Sequence, residues 1–339
     1  MTIYKIKNLR FYPKTLLYFY FGKILSRNYH VTIVGGGNEV GQSVALSLRT
    51  QPLISKLIVH DTVKHLPGIV LDLSHIPSNS AIEGYVGNDT LESAIQNSDL
   101  IIATGVTENP GLSAKAAFNL NIDFIKTLAT CAAKVTPVPL IGIVTEPINI
   151  LVPMAAEVMR NNGEYDPRKL FGITGADFLK AKALYATENN LKPENCTVPV
   201  IGGHSKETVI PLLSQVKPSC NWDQKKMEEF TVKFRSREEL TRNVMKGWSP
   251  ILSTVYSVST FVQGICDALQ SRPTILHAYV ENNDFGTSYF AGLLNVDQNG
   301  AGEMQRYSNL SQFECDLLER CIEQLRKDVV KGKKILEYA

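Results

Sequence analysis

A single histidine, His204, stands inside VPVIGGHSKETVIPLL (residues 198–213), between the apolar runs Val198–Ile201 and Val209–Leu213. A Gly-Gly pair precedes it directly. This arrangement holds an imidazole at the rim of a packed core, where its pKa can be tuned near neutrality for proton transfer. A second group of candidate residues is GGGNEVG, spanning Gly35, Gly36, Gly37, Asn38 and Gly41. Glycines in such a run let the backbone approach a pyrophosphate, and a following helix end supplies amide donors and a positive dipole. Asp61, twenty residues after Gly41, is spaced to accept from an adenosine ribose hydroxyl and would repel a 2′-phosphate, which favours NAD over NADP.

The elements that must position these groups are legible in outline. Val31–Val34 reads as a strand entering the glycine turn, with a helix after it that carries Val40, Val44 and Leu48. Lys56–His60 is a second strand, and Asp99–Thr104 and Leu140–Thr145 are near-continuously apolar, as buried parallel strands are. Ala116–Lys134 lies between the last two as a helix. This alternation predicts an α/β fold with a Rossmann-type doubly wound parallel sheet and ligands at the carboxyl ends of its strands. The turn-rich loop Gly105–Ala114 and the Glu146-Pro147 pair sit at two such ends.

Beyond residue 150 the pattern becomes α+β. Leu151–Asn162 and Ala176–Asn189 read as helices, Val198–Ile201 and Val209–Leu213 as strands, and Ile275–Val280 with Tyr289–Asn295 as a strand pair. Trp222–Lys246 is a charged helix read as a solvated face. Ile251–Leu269 and Phe313–Lys333 complete the helices. The expected organisation is a leader over residues 1–30, a nucleotide domain over 31–175 and a catalytic, substrate and dimerisation domain over 176–339.

The chain has 339 residues, a net charge of +2 and 20% charged residues, so no global field favours nucleic acid. Its six cysteines (131, 196, 220, 266, 315 and 321) lack metal-ligand spacing and read as reduced thiols. No metal site is expected. Residues 1–30 carry Lys5, Lys7, Arg10, Lys14, Lys23 and Arg27 without an acid, interleaved with Tyr, Phe, Leu and Ile. Such an acid-free amphipathic leader reads as a mitochondrial transit peptide, which places the protein in the matrix. The run Thr15–Gly22 is too short to span a bilayer, so no stable membrane insertion is expected.

From Val31 to the C-terminus the chain resembles mitochondrial-type malate dehydrogenase, within the lactate/malate dehydrogenase superfamily. The match is carried by VPVIGGHS (198–205), DLSHI (72–76), EYDPRKLFG (164–172), FGIT-x-x-D (171–177) and PxN at 147–149. The resemblance implies NAD-dependent malate/oxaloacetate hydride transfer, a tricarboxylic acid cycle reaction. His204 then takes the hydroxyl proton and Asp177 pairs with its imidazole. Cofactor positions carry over as Gly35, Gly36, Gly37, Asn38, Gly41, Asp61, Asn121, Val144 and Thr254. Asn38 stands for the middle fingerprint glycine and Thr254 for a methionine near the nicotinamide. The DLSHI helix, in the family, packs at a dimer interface, which implies a homodimer or a heterodimer with a related subunit.

The substrate positions depart from the pattern. The family grips two carboxylates with three arginines, and here these are Glu108, Ala114 and Lys180. Glu146 replaces the asparagine before proline. An arginine–carboxylate fork contributes about 1.5–3 kcal/mol. A glutamate in its place adds repulsion on the order of 1–4 kcal/mol. Weak malate turnover is therefore expected. The alternatives are a catalytically silent paralogue with a binding or structural role, and a dehydrogenase for a 2-hydroxy acid with a cationic or neutral tail.

Overall fold

The computed structural model describes residues 29–107, 109–219 and 221–336. In the first half, strands and helices alternate as β1 (Tyr29–Val34), α1 (Glu39–Leu48), β2 (Ile54–Asp61), α2 (Leu66–Ser74), β3 (Ala81–Val86) and α3 (Leu91–Ile95). They continue as β4 (Leu100–Ala103), α4 (Ala114–Ala132), β5 (Leu140–Ile143), α5 (Ile148–Asn162) and β6 (Leu170–Ile173). These six strands lie parallel in the order β3-β2-β1-β4-β5-β6. The central strands β1, β4 and β5 have helices on both sides. Ile33, Ile101, Ile102 and Ile141 accordingly lose nearly all solvent contact, whichever face of the sheet they take.

The second half begins with α6 (Gly175–Glu188), β7 (Val200–Gly202) and β8 (Val209–Pro211), followed by α7 (Gln224–Val244) and α8 (Leu252–Leu269). It ends with β9 (Thr274–Glu281), β10 (Tyr289–Asp297), β11 (Gly300–Met304) and α9 (Gln312–Lys334). Here the strands run antiparallel, and β9 pairs directly with β6. The sheet therefore continues from one half into the other as β6-β9-β10-β7-β8, with β11 on β10. One transverse row of paired residues, Gly172–Tyr279–Ala291–Gly202, crosses four strands at this junction.

The strand pair of the second half and the long helices fall where the sequence places them, with ends shifted by a few residues. β1 starts at Tyr29, two residues before the β-branched run, because its ring is buried in the core. The second apolar run beyond His204 is a strand only through Pro211, after which the chain turns through Leu213–Gln215. The leader expected over residues 1–30 lies outside the described residues, apart from Tyr29 and His30 in β1. Among the described residues no helix is long and apolar enough to cross a membrane.

Candidate active site

The Gly202-Gly203 pair ends β7 and turns the chain sharply toward β8. Gly202 has φ +106° and a Cβ there would fall 2.1 Å from the Thr208 carbonyl oxygen, so only glycine closes this turn. The turn presents His204, whose backbone N–H donates to Asn149 Oδ1 at 2.8 Å. Asn149, buried in the first turn of α5, is itself fixed by donating to Thr208 Oγ1 and Asp328 Oδ2, each at 3.1 Å. The imidazole is thus mounted on a bridge between both halves of the molecule.

Asp177 lies in the first turn of α6, where the helix dipole favours a negative charge. Its Oδ2 is hydrogen-bonded to His204 Nδ1. That contact assigns Nδ1 the proton and leaves Nε2 facing outward. There Nε2 meets Glu146 Oε1 at 2.7 Å. The second Glu146 oxygen accepts from the Ile148 amide at 3.2 Å. On its other side Asp177 Oδ1 is 3.9 Å from Lys180 Nζ, which bonds Glu238 Oε2 at 3.2 Å. Glu238 Oε1 in turn lies 3.6 Å from Arg242.

The protonation states follow from this chain of alternating charges. Burial alone pulls the His204 pKa down, but attraction to Asp177 and then Glu146 outweighs it and holds the imidazole well above its usual range. Burial pushes the Asp177 carboxyl up, yet His204 and Lys180 bring it below its ordinary value. Lys180 is raised and Glu238 lowered, in each case because the partner charges outweigh desolvation. At neutral pH the resting site holds an imidazolium between two carboxylates.

A cavity of about 520 Å³ opens in front of His204. Ala114, Asn121, Val144, Glu146, Asp177, Lys180, His204 and Thr254 all line it, so the structure brings together these predicted positions from both halves. Glu108 lies outside the described residues. Asn121 is committed internally: it exchanges hydrogen bonds with the Val106 backbone and donates to the Glu146 carbonyl at 2.9 Å. It therefore shapes the loop ends around the cavity.

Gly35, Gly36, Gly37 and Asn38 form the turn between β1 and α1, and Gly41 lies in the first turn of α1. Gly41 is packed so closely that a Cβ would lie 2.2 Å from the Gly35 carbonyl oxygen. Asn38 is the N-cap of α1, accepting from the Gly41 amide at 2.8 Å. Its φ of −89° is ordinary for a side-chain-bearing residue, which is how asparagine occupies a glycine position without strain. The Asn38 amide also donates to the Gly105 carbonyl, bridging the β1 and β4 loops. Asp61 Oδ2 accepts from the Gly37 amide at 2.8 Å, and Oδ1 from the Thr62 amide at 2.6 Å. Glu39 opens α1 and is exposed.

One reading of the sequence is overturned here. The charged helix α7 is not simply a solvated face: Phe234, Arg235, Glu238, Glu239 and Arg242 line the cavity. Sequence reasoning missed Glu238 and Arg242. The available signal was spacing, since Phe230, Phe234, Glu238 and Arg242 recur every four residues and share one side of the helix. The two aromatics are buried and carry the stripe inward. Among the described residues no three His, Cys, Asp or Glu side chains converge to hold a metal ion.

Comparison with known proteins follows the same division of the chain. Residues 29–172 match the NAD binding domain of lactate/malate dehydrogenase, and residues 174–336 match its alpha/beta C-terminal domain. The chain belongs to the lactate/malate dehydrogenase family. It is 36% identical over 305 residues to malate dehydrogenase of Idiomarina loihiensis, covering 89% of this chain and 98% of that one. It is 30% identical over 320 residues to mitochondrial malate dehydrogenase of Sus scrofa, covering 94% of each. Its fold matches the crystal structure of Cryptosporidium parvum malate dehydrogenase with a TM-score of 0.77 at 21% identity, over 91% of this chain and 99% of the other. A Cryptosporidium parvum lactate dehydrogenase solved with lactic acid and nicotinamide adenine dinucleotide matches with a TM-score of 0.76 at 16% identity, covering 92% and 99%.

NAD is the cofactor of this dehydrogenase fold, and the groove fits it. The N-terminus of α1 and the Asp61 carboxylate stand at the strand ends that take diphosphate and ribose. Val144, Ile251 and Thr254 line the cavity beside His204, where a nicotinamide would lie. A nicotinamide bound there would supply the hydride acceptor or donor.

Proposed function

We propose that this protein is an NAD-dependent oxidoreductase for 2-oxo and 2-hydroxy acids, of malate dehydrogenase descent and with weak turnover of malate and oxaloacetate. The observation that carries the reading is the His204–Asp177 pair, opening through Nε2 into a cavity continuous with the nucleotide groove. In reduction a hydride reaches C2 of the 2-oxo acid and the proton on Nε2 goes to its oxygen. In the reverse direction the alcohol proton goes to Nε2. Asp177 holds the ring and stabilises its charged form. Weak use of a dicarboxylate follows from Ala114, which leaves the N-terminus of α4 without a guanidinium, and from Glu146, which brings an anion to the substrate side of His204. Titrating NADH into the full chain by calorimetry, with and without oxaloacetate, tests this directly. NADH binding that oxaloacetate barely alters supports the reading, and absence of NADH binding overturns it.

A second reading, a catalytically silent relative that acts through binding, is favoured by one feature. The Asn38–Gly105 bridge crosses between the two loops that flank the diphosphate, and Glu39 places a carboxylate at the same helix end. Association with a second copy, or with a related subunit, is supported by Leu71 on α2 and by Leu252 and Tyr256 on α8, which are 60%, 79% and 64% exposed. Tyr256→Glu is expected to yield monomers in analytical ultracentrifugation where the parent chain sediments as a dimer. A mitochondrial matrix location is supported by the basic, acid-free residues 1–28 and by relatives named as mitochondrial from Arabidopsis thaliana and Caenorhabditis elegans. Fusion of residues 1–28 to a fluorescent protein reads out import.

A further inference from the structure

Six charged side chains alternate in sign across the site, in the order Glu146, His204, Asp177, Lys180, Glu238 and Arg242. Their separations include 2.7 Å for Glu146–His204, 3.9 Å for Asp177–Lys180, 3.2 Å for Lys180–Glu238 and 3.6 Å for Glu238–Arg242. With His204 protonated, the chain sums to zero. A 2-oxo acid needs a proton donor for its C2 oxygen and a cation for its C1 carboxylate. His204 Nε2 and Lys180 are the groups placed for these tasks, and each already holds a carboxylate of the protein.

The two occupying glutamates differ from Asp177 in how firmly they are held. The Asp177 side chain is 9% exposed and fixed in a helix turn, whereas Glu146 and Glu238 are 51% and 45% exposed. Glu146 has one amide contact, from Ile148, besides His204. Glu238 projects from α7 across the cavity. Both can swing to solvent while Asp177 stays.

We infer that Glu146 and Glu238 are built-in counter-ions that stand in for the oxygens of the substrate, so that a 2-oxo monocarboxylate enters by displacing them and a second carboxylate is refused. Glu238 is the specificity-determining residue, because it competes with the substrate's C1 carboxylate for Lys180. The inference rests on the dehydrogenase reading. A monoanion added to the neutral chain leaves one excess negative charge, and a dianion leaves two. The other cations on the cavity wall are engaged in contacts of their own. Lys206 pairs with Glu239 at 3.0 Å, Arg235 Nε donates to the Val209 carbonyl, and Lys331 lies over the Phe118 ring.

The test uses Glu146→Gln, Glu238→Gln and the double variant, which preserve side-chain shape at half-exposed positions. Calorimetry measures oxamate (a monoanion) and hydroxymalonate (a dianion) binding to the NADH-loaded protein. The double variant is expected to bind oxamate at least tenfold more tightly than the parent chain, with a larger gain for hydroxymalonate. Nitrogen-15 NMR of the imidazole, recorded without cofactor, should show the His204 titration moving to lower pH in Glu146→Gln. Unchanged anion affinities with an unmoved titration overturn the counter-ion role. If NADH does not bind the parent chain, the dehydrogenase reading fails by itself, and an unmoved His204 titration still overturns the counter-ion role.

Discussion

The Glu146 carboxylate lies 2.7 Å from Nε2 of His204, against the ring edge opposite the one held by Asp177. Two anions on one imidazole favour its charged form. A protonated ring can give a proton to a 2-oxo acid but cannot take one from a hydroxy acid. Asp177, Glu146, Lys180, Glu238 and His277 are the titratable groups around it, and the first two dominate the upward shift. The rate of hydroxy acid oxidation is therefore expected to rise as pH passes above neutrality, while reduction declines over the same window. In Glu146→Asn both profiles should move to lower pH. Profiles that coincide with those of the parent chain would count against Glu146 as a cause.

The same pair shapes stability. His204 has a folded pKa above its unfolded value, so its contribution is complete below about pH 6.5 and fades as pH rises through the folded value. Asp177 and Glu238 are depressed, so theirs is present above roughly pH 4 and is lost on acidification through the folded values. Urea unfolding should accordingly show stability falling on both sides of a weakly acidic plateau. His204→Gln should flatten the alkaline limb, and an unchanged limb would assign it to another group.

Ala114 is the first residue of α4 and lines the cavity. An arginine there, together with Glu108→Arg, would supply two forks for a distal carboxylate. At about 1.5–3 kcal/mol per fork, and about 1.4 kcal/mol per factor of ten, the malate kcat/KM is expected to rise at least tenfold. Steady-state assays with malate and oxaloacetate check this, and no gain would mean that the distal end of the substrate lies elsewhere.

Asn38→Gly removes the bridge to the Gly105 carbonyl. Glycine at an N-cap costs only about 0.3 kcal/mol relative to asparagine, so the fold should be nearly unperturbed. NADH affinity is expected to improve several-fold in calorimetry, with the melting temperature shifted by less than about 2 °C. Equal affinity in the two proteins would show that the bridge does not oppose the nucleotide.

The periodicity of the chain exposes the nucleotide half well, because β1, β2, β4 and β5 are apolar runs closed by glycines or an acid. β3 escaped because it is an edge strand whose residues are mostly half-exposed, which dilutes the apolar pattern. β6 escaped because it has four residues and follows a proline turn. His204, Asp177, Glu146 and Lys180 could each be named from motifs. The ion chain could not, because Lys180, Glu238 and Arg242 meet only when α6 and α7 face each other across the cavity. Charge composition in α7 then reads as solvation, although one of its sides points inward.

The row Gly172–Tyr279–Ala291–Gly202 fixes the starting points of two segments, one reaching Asp177 five residues later and the other His204 two residues later. Main-chain hydrogen bonds of four neighbouring strands thus act as the gauge block for the His204–Asp177 pair. Glu146, Ala114 and Glu238 stand on a loop and on helices outside that row. These three side chains can therefore be exchanged without disturbing the spacing of the pair, and the cavity wall is open to redesign at the periphery while His204 and Asp177 stay in alignment.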